Sequence, residues 1–367
     1  MSTLPTSSSP SDRRGICVIM AGGRGTRFWP LSRTDSPKQL LALASGRSLL
    51  RDTFDRVEPL VGADRILVVT SGNLAAAIGA ALPGLPAGHI ITEPTGRNTA
   101  PCAVLGMGLA GRIDPAAPVA LLPADHFIPD DEAFRTQLSE AFALAGDRET
   151  VVTLGIPPDR PETGFGYLEI APAGEESGPA DGLAFHEKPD AATAEAYVRS
   201  GRHFWNSGIF VWNPRRFAAA AASHLPEVAR MMGPAVDSYG TDAFAPALED
   251  AYRDCPADSI DFAVMEKLAD FLVLPATFRW SDLGSWDAWG ELAPVLPGGN
   301  RGRGDLIAVD SSDNILNAPD RLVALVGVRD LVVVDSPDAL LICQRSQAQR
   351  IKEIIARLEE KGRSDLL

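Results

Sequence analysis

The chain has 367 residues, of which 45% are hydrophobic and 22% charged, and its formal net charge at pH 7 is −14. This composition is typical of a folded globular protein and argues against a disordered or fibrous one. The length predicts two folded units, one of them large. Because binding a phosphate backbone requires a basic surface, the negative charge predicts no nucleic acid partner. An anionic substrate would have to be held by a local cluster of basic groups, with or without a divalent cation.

The chain begins with a Ser/Pro-rich segment, residues 1–14, that lacks the apolar stretch of a signal peptide, so we predict a disordered tail there. No uncharged apolar run in the sequence reaches the roughly 18 residues of a membrane span. We therefore expect a cytoplasmic protein without membrane attachment. The cysteines Cys17, Cys102, Cys255 and Cys343 match no metal or redox spacing and are expected to be reduced core residues.

Strand and helix patterns alternate through the first half of the chain. Four apolar runs predict strands, and two Ala/Leu-rich stretches between them predict helices. The runs are residues 16–20, 66–69, 119–122 and 151–154, and the stretches are residues 73–82 and 132–145. This alternation predicts an α/β fold, a Rossmann-like, mostly parallel sheet flanked by helices, that binds ligands beyond the carboxyl ends of its strands.

The pattern changes twice further along the chain. Between residues 155 and 212 it consists of short segments that resemble antiparallel strands closing over a pocket. After Pro294 the sequence turns into short β-rich runs and then a charged helix from about Gln347 to Lys361. We predict a catalytic domain over residues 15–295 and a small C-terminal β-rich, β-helix-like domain with a terminal helix over residues 296–367.

A glycine-rich segment, residues 21–27, follows the first predicted strand and precedes Lys38. Glycines let backbone amides approach phosphate oxygens, and the arginines and the lysine add positive charge. The P-loop pattern occurs nowhere in the chain, and the dinucleotide pattern fails because Phe28 stands where its third glycine belongs. The segment therefore favours a phosphate loop of another class, although the glycines alone are also compatible with an ordinary strand-helix turn.

Two carboxylates lie in suggestive places. Asp125 directly follows the predicted strand 119–122, and Asp282 lies in a small turn flanked by tryptophans. Mg²⁺ takes one or two carboxylates together with phosphates and water, so this pair would suffice. Each aspartate could equally cap a helix or a turn. We expect His126 to be a structural hydrogen-bonding partner, since Mg²⁺ prefers oxygen ligands.

Several ordered segments resemble the sugar nucleotidyltransferases, and the Phe-Trp-Pro-Leu-Ser-Arg continuation of the glycine segment, with Pro-Lys-Gln after it, is similar to their mannose-1-phosphate guanylyltransferase branch. The other similar segments are Glu-Pro-Thr-Gly-Arg-Asn-Thr-Ala-Pro at 93–101, Leu-Pro-Ala-Asp-His at 122–126, Thr-Gly-Phe-Gly-Tyr at 163–167, Phe-His-Glu-Lys-Pro at 185–189, Asn-Ser-Gly at 206–208 and Trp-Ser-Asp-Leu-Gly-Ser-Trp at 280–286. Residues 259–267 also resemble a family segment; they predict a helix start capped by Ser259 or Asp261, and their ligand role stays open. The resemblance spans residues 16–289. It implies Mg²⁺-dependent transfer of GMP from GTP to mannose 1-phosphate, with GDP-mannose and pyrophosphate as products, and a homodimer.

The resemblance also implies residue roles. The implied catalytic residues are Arg24, Lys38, Asp125 and Lys188, and the implied metal ligands are Asp125 and Asp282. The implied nucleotide-binding residues are Ala21, Gly22, Gly23, Gly25, Thr26, Arg27, Glu93, Arg97, Asn98 and Thr99, and the implied sugar-binding residues are Gly164, Glu187 and Asn206. Glu93 and Asn98 also carry hydrogen-bonding groups complementary to guanine. His186 replaces an apolar residue of the family motif, and on an alternating strand it should point away from Phe185 and Glu187, so we expect it to affect packing.

Three alternatives stay open. The first is a nucleotidyltransferase for another sugar 1-phosphate or another base. The second is a catalytically silent nucleotide-sugar sensor, which the loss of a metal carboxylate or of the glycine-segment arginine would mark; neither is lost. The third is a Rossmann-like redox module. The chain is also too short for the isomerase domain of some long relatives, so we expect no mannose-6-phosphate isomerase activity.

Overall fold

The structure, a computed structural model, describes residues 14–23, 25–172 and 178–367. Apart from Arg14, the tail predicted over residues 1–14 lies outside the described residues, and so does Arg24. The chain forms two compact units. One, here called the sheet unit, contains the described residues of 1–22, 54–124 and 128–280; the other, here called the three-segment unit, contains those of 23–53, 125–127 and 281–367.

The sheet unit is built on one mixed sheet of nine strands in the order β3-β2-β1-β4-β8-β5-β9-β7-β6, with a further pairing of β8 with β6. The strands are β1 (Ile16–Met20), β2 (Ile66–Ser71), β3 (Ile90–Glu93), β4 (Val119–Pro123), β5 (Val151–Ile156), β6 (Tyr167–Ile170), β7 (Ala180–His186), β8 (His203–Trp212) and β9 (Phe271–Pro275). The first four strands run parallel, and β8 is antiparallel to β4, β5 and β6. The predicted α/β class is confirmed. The antiparallel strands β6, β7 and β8 lie between residues 155 and 212, where the sequence pattern consists of short segments.

Helices cover this sheet. They are α1 (Leu49–Val61), which continues from the three-segment unit, α2 (Ala75–Ala81), α3 (Thr99–Ile113), α4 (Asp131–Asp147), α5 (Ala191–Ser200), α6 (Pro214–His224), α7 (Pro226–Asp237), α8 (Phe244–Arg253) and α9 (Ile260–Ala263). Strand β1 reads as an unbroken apolar run because it is buried on both faces. Helix α3 packs closely on it, since a Cβ on Gly106 would lie 2.5 Å from Val18 Cγ1.

The three-segment unit contains a four-stranded sheet of β-helix-like coils. Its elements are α10 (Trp286–Leu292), β10 (Arg301–Val309), β11 (Ile315–Val326), β12 (Leu331–Asp335), β13 (Leu340–Gln344) and α11 (Ile351–Glu360). Strands β10, β11 and β12 run parallel, and β13 returns antiparallel. Two buried asparagines link successive coils: Asn314 Nδ2 donates to Asn300 Oδ1 at 2.8 Å, and Asn314 Oδ1 accepts from the Leu331 N–H at 2.9 Å. Helix α11 begins later than the predicted terminal helix because residues 345–350 form a 3-10 turn.

The core of the three-segment unit joins the beginning of the chain to its end. Trp29 donates from its indole N–H to the carbonyl of Leu366 at 2.9 Å, and Trp289 donates to the carbonyl of Leu43 at 2.6 Å. The ring of Phe28 packs against Trp286 at 4.9 Å between centroids. The glycine segment is therefore anchored from residue 23 onward in the same unit as the C-terminal coils. Across the described residues, no helix combines the length and the apolarity that crossing a membrane would require.

Candidate active site

Lys38 lies at the centre of a polar cluster in the three-segment unit. Its ammonium donates to Asp125 Oδ2 at 2.7 Å and to the backbone carbonyl of Asp282. The segments that carry the two aspartates are aligned by a β-bridge, in which the N–H groups of Phe127 and Ser281 each donate to the other residue's carbonyl at 2.9 and 3.0 Å. This bridge explains how two aspartates 157 positions apart in the sequence come to lie together.

A cavity of about 390 Å³ opens on this cluster. Six of the sequence-predicted site residues line it: Gly25, Thr26, Arg27, Lys38, Asp125 and Asp282. His126 and Lys352 line it as well. The structure thus brings the second half of the glycine segment, both predicted metal ligands and one predicted catalytic lysine to a single place.

The two carboxylates of this cavity differ in their charge balance. Burial by itself would raise the pKa of Asp125, but Lys38 and His126 outweigh it and hold that pKa below its usual value. Burial raises the pKa of Asp282, and the neighbouring charge of Asp125 adds to the rise while Lys38 opposes it. Burial is the larger cause of that rise, so Asp282 ionises less readily than Asp125. Carboxylate oxygens of two side chains lining one open cavity match the ligand preference of Mg²⁺.

The glycine segment needs glycine at residue 25. Gly25 has φ 58°, a left-handed conformation, and a Cβ there would lie 2.3 Å from Lys38 Cβ. Gln39 holds the preceding turn by donating from Nε2 to the carbonyl of Gly23 at 3.0 Å. The backbone at Gly25 therefore packs directly against the side chain of Lys38. This contact leaves no space for a larger residue at position 25.

The predicted residues Ala21 and Gly22 belong to the sheet unit, where they follow strand β1. Their neighbour there is Glu93, since a Cβ on Gly22 would lie 3.3 Å from Glu93 Oε2. Glu93 is 5% exposed and accepts a hydrogen bond at Oε1 from the Tyr252 hydroxyl at 2.7 Å. Burial raises the pKa of Glu93 to about 7, although the Tyr252 hydrogen bond opposes the rise.

The residues that follow Glu93 make contacts within the fold. Arg97 donates to the carbonyls of Tyr252 at 3.3 Å and Arg253 at 2.7 Å. Asn98 is the N-cap of helix α3, where its Oδ1 accepts from the Thr99 N–H at 2.9 Å, and Thr99 Oγ1 accepts from the Ile260 N–H at 2.9 Å. These contacts fix the start of α3, and the nucleotide-binding roles of the three residues stay predictions.

A second polar cluster in the sheet unit contains two of the predicted sugar-binding residues, Glu187 and Asn206. Lys188 Nζ donates to Glu187 Oε1 at 2.7 Å, and Asn206 Nδ2 donates to Asp261 Oδ1 at 2.9 Å. Burial, with the nearby charge of Glu187, raises the pKa of Asp261 to about 6. Gly164 is held by a turn in which its N–H donates to Glu162 Oε1 at 3.0 Å.

Two residues of these clusters have no predicted role. Asp261 stands in a family-like segment, but the sequence left its role open because it could also cap a helix; the cap of α9 is in fact Ser259, which accepts from the Phe262 N–H at 3.2 Å. Lys352 carries no sequence signal, since it is one of many charged residues on the exposed terminal helix. Only the tertiary structure places it at the cavity.

The family comparisons agree with this architecture. Residues 16–296 match the family described as Nucleotidyl transferase, and residues 304–358 match a MannoseP isomerase/GMP-like beta-helix domain. The Mannose-1-phosphate guanylyltransferase ManC of Salmonella typhimurium (strain LT2) is 37% identical over 358 residues, covering 95% of this chain and 74% of that protein. The Mannose-1-phosphate guanylyltransferase of Escherichia coli (strain K12) is 38% identical over 357 residues, with the same coverage.

The chain belongs to the mannose-1-phosphate guanylyltransferase family. A solved structure from Thermus thermophilus, described as a mannose-1-phosphate geranyltransferase, is 35% identical with a TM-score of 0.84 and covers 94% of this chain and 99% of that one. The Xanthan biosynthesis protein XanB of Xanthomonas campestris pv. campestris (strain B100) is 37% identical over 350 residues, covering 95% of this chain and 74% of that protein. The resemblance inferred from the sequence motifs is thus confirmed at the level of the family, as is the β-helix-like C-terminal domain.

Proposed function

We propose that the protein transfers GMP from GTP to α-D-mannose 1-phosphate and releases GDP-mannose and pyrophosphate. The observation that supports this proposal most is the cavity in which the glycine segment meets Lys38, Asp125 and Asp282. Basic groups, backbone amides and a carboxylate pair are the components that nucleotidyl transfer requires. Two of the relatives described above carry the corresponding name, Mannose-1-phosphate guanylyltransferase, at 37% and 38% identity.

We propose Asp125 and Asp282 as the residues that hold Mg²⁺. The fit rests on two carboxylates that line one cavity beside the glycine segment, because Mg²⁺ prefers oxygen ligands. When bound, Mg²⁺ neutralises and orients phosphate oxygens. Lys38 would keep Asp125 ionised and correctly placed, because its ammonium contacts both the carboxylate of Asp125 and the backbone at Asp282.

The reaction needs positioning more than proton transfer. A phosphate oxygen of mannose 1-phosphate attacks the α-phosphorus of GTP, a new P–O bond forms, and the bond to the β-phosphate breaks as pyrophosphate leaves opposite. Because the attacking phosphate is already ionised, no general base is required. In this proposal Arg24, Arg27 and the amides of Gly25 and Thr26 hold the triphosphate, and Lys188 meets the sugar phosphate. Arg24 has this role from the sequence motif alone.

Recognition of the base and the sugar is assigned to the sheet unit. Tyr252 engages Oε1 of Glu93, so Oε2, the oxygen nearest Gly22, would accept from guanine. A site built on such hydrogen bonds can reject an analogue that lacks them by about 10⁴-fold. Glu187 and Asn206 would bind sugar hydroxyls. A homodimer and the other implied roles stay predictions.

The decisive experiment is a pyrophosphate-release assay of GTP, ATP, UTP and dTTP against a panel of sugar 1-phosphates, with and without Mg²⁺. We expect turnover with GTP, mannose 1-phosphate and Mg²⁺ together. Asp125→Asn and Asp282→Asn should each lower kcat/KM by about 10²- to 10³-fold, because a charge in contact with the reacting groups is lost. Asp287→Asn is the matched control, since Asp287 pairs with Arg345 at 2.7 Å and does not line the cavity.

The possible outcomes separate the alternatives. Turnover that survives both aspartate substitutions would refute the metal assignment. Preference for another base or sugar 1-phosphate would reassign the substrates within the same chemistry. Binding of GDP-mannose without turnover of any pair would favour the nucleotide-sugar sensor.

A further inference from the structure

Three potential metal ligands meet on one face of the sheet unit, and none of them has a role in the proposed reaction. They are Glu169 in β6, His186 at the end of β7 and His203 at the start of β8, and one ligand atom from each lies within 4.8 Å of the others. The strand register explains the meeting. Residues 167 and 169 share a face of β6, where Tyr167 pairs with His186 and Glu169 pairs with His203.

The hydrogen bonds of Ser200 favour one tautomer of His203. The Ser200 hydroxyl donates its proton to the carbonyl of Tyr197 at 2.7 Å, so its oxygen can only accept from the imidazole Nδ1 of His203 at 2.7 Å. It also accepts from the Arg202 N–H at 3.2 Å. His203 Nδ1 therefore carries a proton, and in the neutral ring the lone pair is on Nε2.

That lone pair has no protein partner. His203 is 6% exposed, and among the described residues no hydrogen-bonding group reaches its Nε2. The ring of Tyr197 stacks on His203 at 4.0 Å between centroids and on His186 at 5.2 Å, which shields the two imidazoles from one side. A buried acceptor without a partner destabilises the folded state. A bound cation would remove that destabilisation.

The spacing of the group is close to that of a metal site. Glu169 Oε2 lies 3.7 Å from His186 Nε2, which is too long for a hydrogen bond. Ligand atoms around a tetrahedral Zn²⁺ with bonds of about 2.0–2.2 Å stand roughly 3.3–3.5 Å apart, so the three ligand atoms, which lie within 4.8 Å of one another, would have to move closer together on binding. The other oxygen of Glu169 faces the Arg202 guanidinium at 3.6 Å, which would orient the carboxylate.

We propose that Glu169, His186 and His203 form a binding site for Zn²⁺ or a cation of the same class, with a fourth position left for water. Two imidazoles and one carboxylate select zinc over magnesium, because Mg²⁺ prefers oxygen ligands. The ion would tie together β6, β7 and β8. Since Glu187 follows His186 directly and Asn206 follows His203 by three residues, it would also stiffen the strands that lead to the second polar cluster.

The test is a zinc titration of the tag-free, chelator-treated protein in the presence of excess Mg²⁺, read by competition with a chromophoric chelator. We expect one Zn²⁺ per chain, and Co²⁺ in its place should give the visible absorption of a four-coordinate nitrogen and oxygen site. His186→Val and Glu169→Gln should each weaken Zn²⁺ binding by at least about 100-fold. Both positions are partly exposed, with 36% and 25% of the side chain accessible, so these variants are expected to fold.

Two controls identify the ligands. His224→Gln removes an imidazole outside the group, and Cys343→Ser removes the one cysteine that is not fully buried; neither should change the affinity. Zn²⁺ should also raise the melting temperature of the wild type and leave that of His186→Val unchanged. Failure of the wild type to bind one zinc tightly, or equal binding by His186→Val and Glu169→Gln, would overturn the proposal.

Discussion

Two lysines, one in each unit, pair with carboxylates in contrasting ways. Lys38 has a side chain that is only 8% exposed, and its ammonium is fixed between a carboxylate and a backbone carbonyl. Lys188 has a side chain that is 58% exposed, and its ammonium contacts the neighbouring Glu187. The first lysine is held from several segments of the chain, whereas the second is held by the residue next to it.

The difference indicates two kinds of positive charge. A buried ammonium with two oxygen partners is organised before any ligand arrives, so it can stabilise charge without rearranging. An exposed ammonium on a flexible stem can leave its partner and follow a ligand. We therefore expect Lys38 to be intolerant of any change and Lys188 to tolerate a substitution that preserves the charge.

The largest effect should come from Lys38. Lys38→Met leaves Asp125 and Asp282 without their shared countercharge and should lower kcat/KM for pyrophosphate release by about 10³-fold. Lys38→Arg should also lose at least about tenfold, because Gly25 packs directly on the Lys38 stem. The matched control is Lys361→Met at an exposed position of the same unit. Full activity of Lys38→Arg would contradict the idea of a rigid, size-limited site.

A smaller loss is expected for Lys188. Lys188→Met should lower kcat/KM by about 10²-fold, mainly through KM for the sugar 1-phosphate, because the charge proposed to meet the substrate phosphate is removed. Lys188→Arg should stay within about tenfold of the wild type. If the arginine variant were as inactive as the methionine variant, the contrast between the two lysines would not hold. Steady-state kinetics with the sugar 1-phosphate as the varied substrate measures both.

Glu93 adds a buried carboxylate to this comparison. Its carboxylate accepts a hydrogen bond from the phenol of Tyr252, whereas that of Asp125 accepts one from the ammonium of Lys38. The pKa of Glu93 is about 7 in the folded protein, against an ordinary value of 4.5. Between these values the folded protein keeps a proton that the unfolded chain has lost, so the free energy of unfolding falls as the pH rises from about 4.5 to 7. Glu93→Gln keeps an acceptor for Tyr252 and does not titrate.

At each pH, the free energy of unfolding of the wild type can be subtracted from that of Glu93→Gln. We expect this difference to be about 2 kcal/mol larger at pH 8 than at pH 5. Urea unfolding at the two pH values measures this change. Glu360→Gln, at an exposed position, serves as the control and should show no such trend. An unchanged difference between Glu93→Gln and the wild type would mean that Glu93 ionises normally in its buried place.

The smallest effect is expected for Lys352. It lines the cavity from the exposed helix α11, so its charge acts on a ligand through solvent and is partly screened. Lys352→Met should raise KM for the nucleotide by about three- to tenfold with little change in kcat. The increase in KM should become smaller at high salt. Lys361→Met is the control, because it removes a charge elsewhere on the surface and should leave KM unchanged. A large loss in kcat would place Lys352 among the fixed charges with Lys38.

Local patterns in the sequence were sufficient to place most strands and the loops after them. The apolar run of β1 and the strand before Asp125 were recognisable because strands buried on both faces leave continuous hydrophobic segments. The alternation rule also gave the face of His186 relative to Phe185. It could not give the register of β6 against β8, so the meeting of His186 with Glu169 and His203 was not foreseen.

Tertiary relations were beyond such patterns. Nothing near Lys38 in the sequence indicates that its ammonium bonds to Asp125, or that residues 23–53 share a core with the C-terminal coils. The proximity of Asp125 to Asp282 was implied only by the resemblance, because it depends on the bridge between Phe127 and Ser281. The catalytic and binding roles inferred from that resemblance stay predictions.

The hydrogen bond from Trp29 to the carbonyl of Leu366 has a consequence for biosynthesis. A ribosome that adds roughly 5–20 residues per second needs on the order of half a minute between these two positions. During that interval Phe28, Trp29 and the rest of the early segment have no core to enter, while the nine-stranded sheet can already form. The glycine segment thus completes its packing last, and we expect molecular chaperones to shield it on the nascent chain.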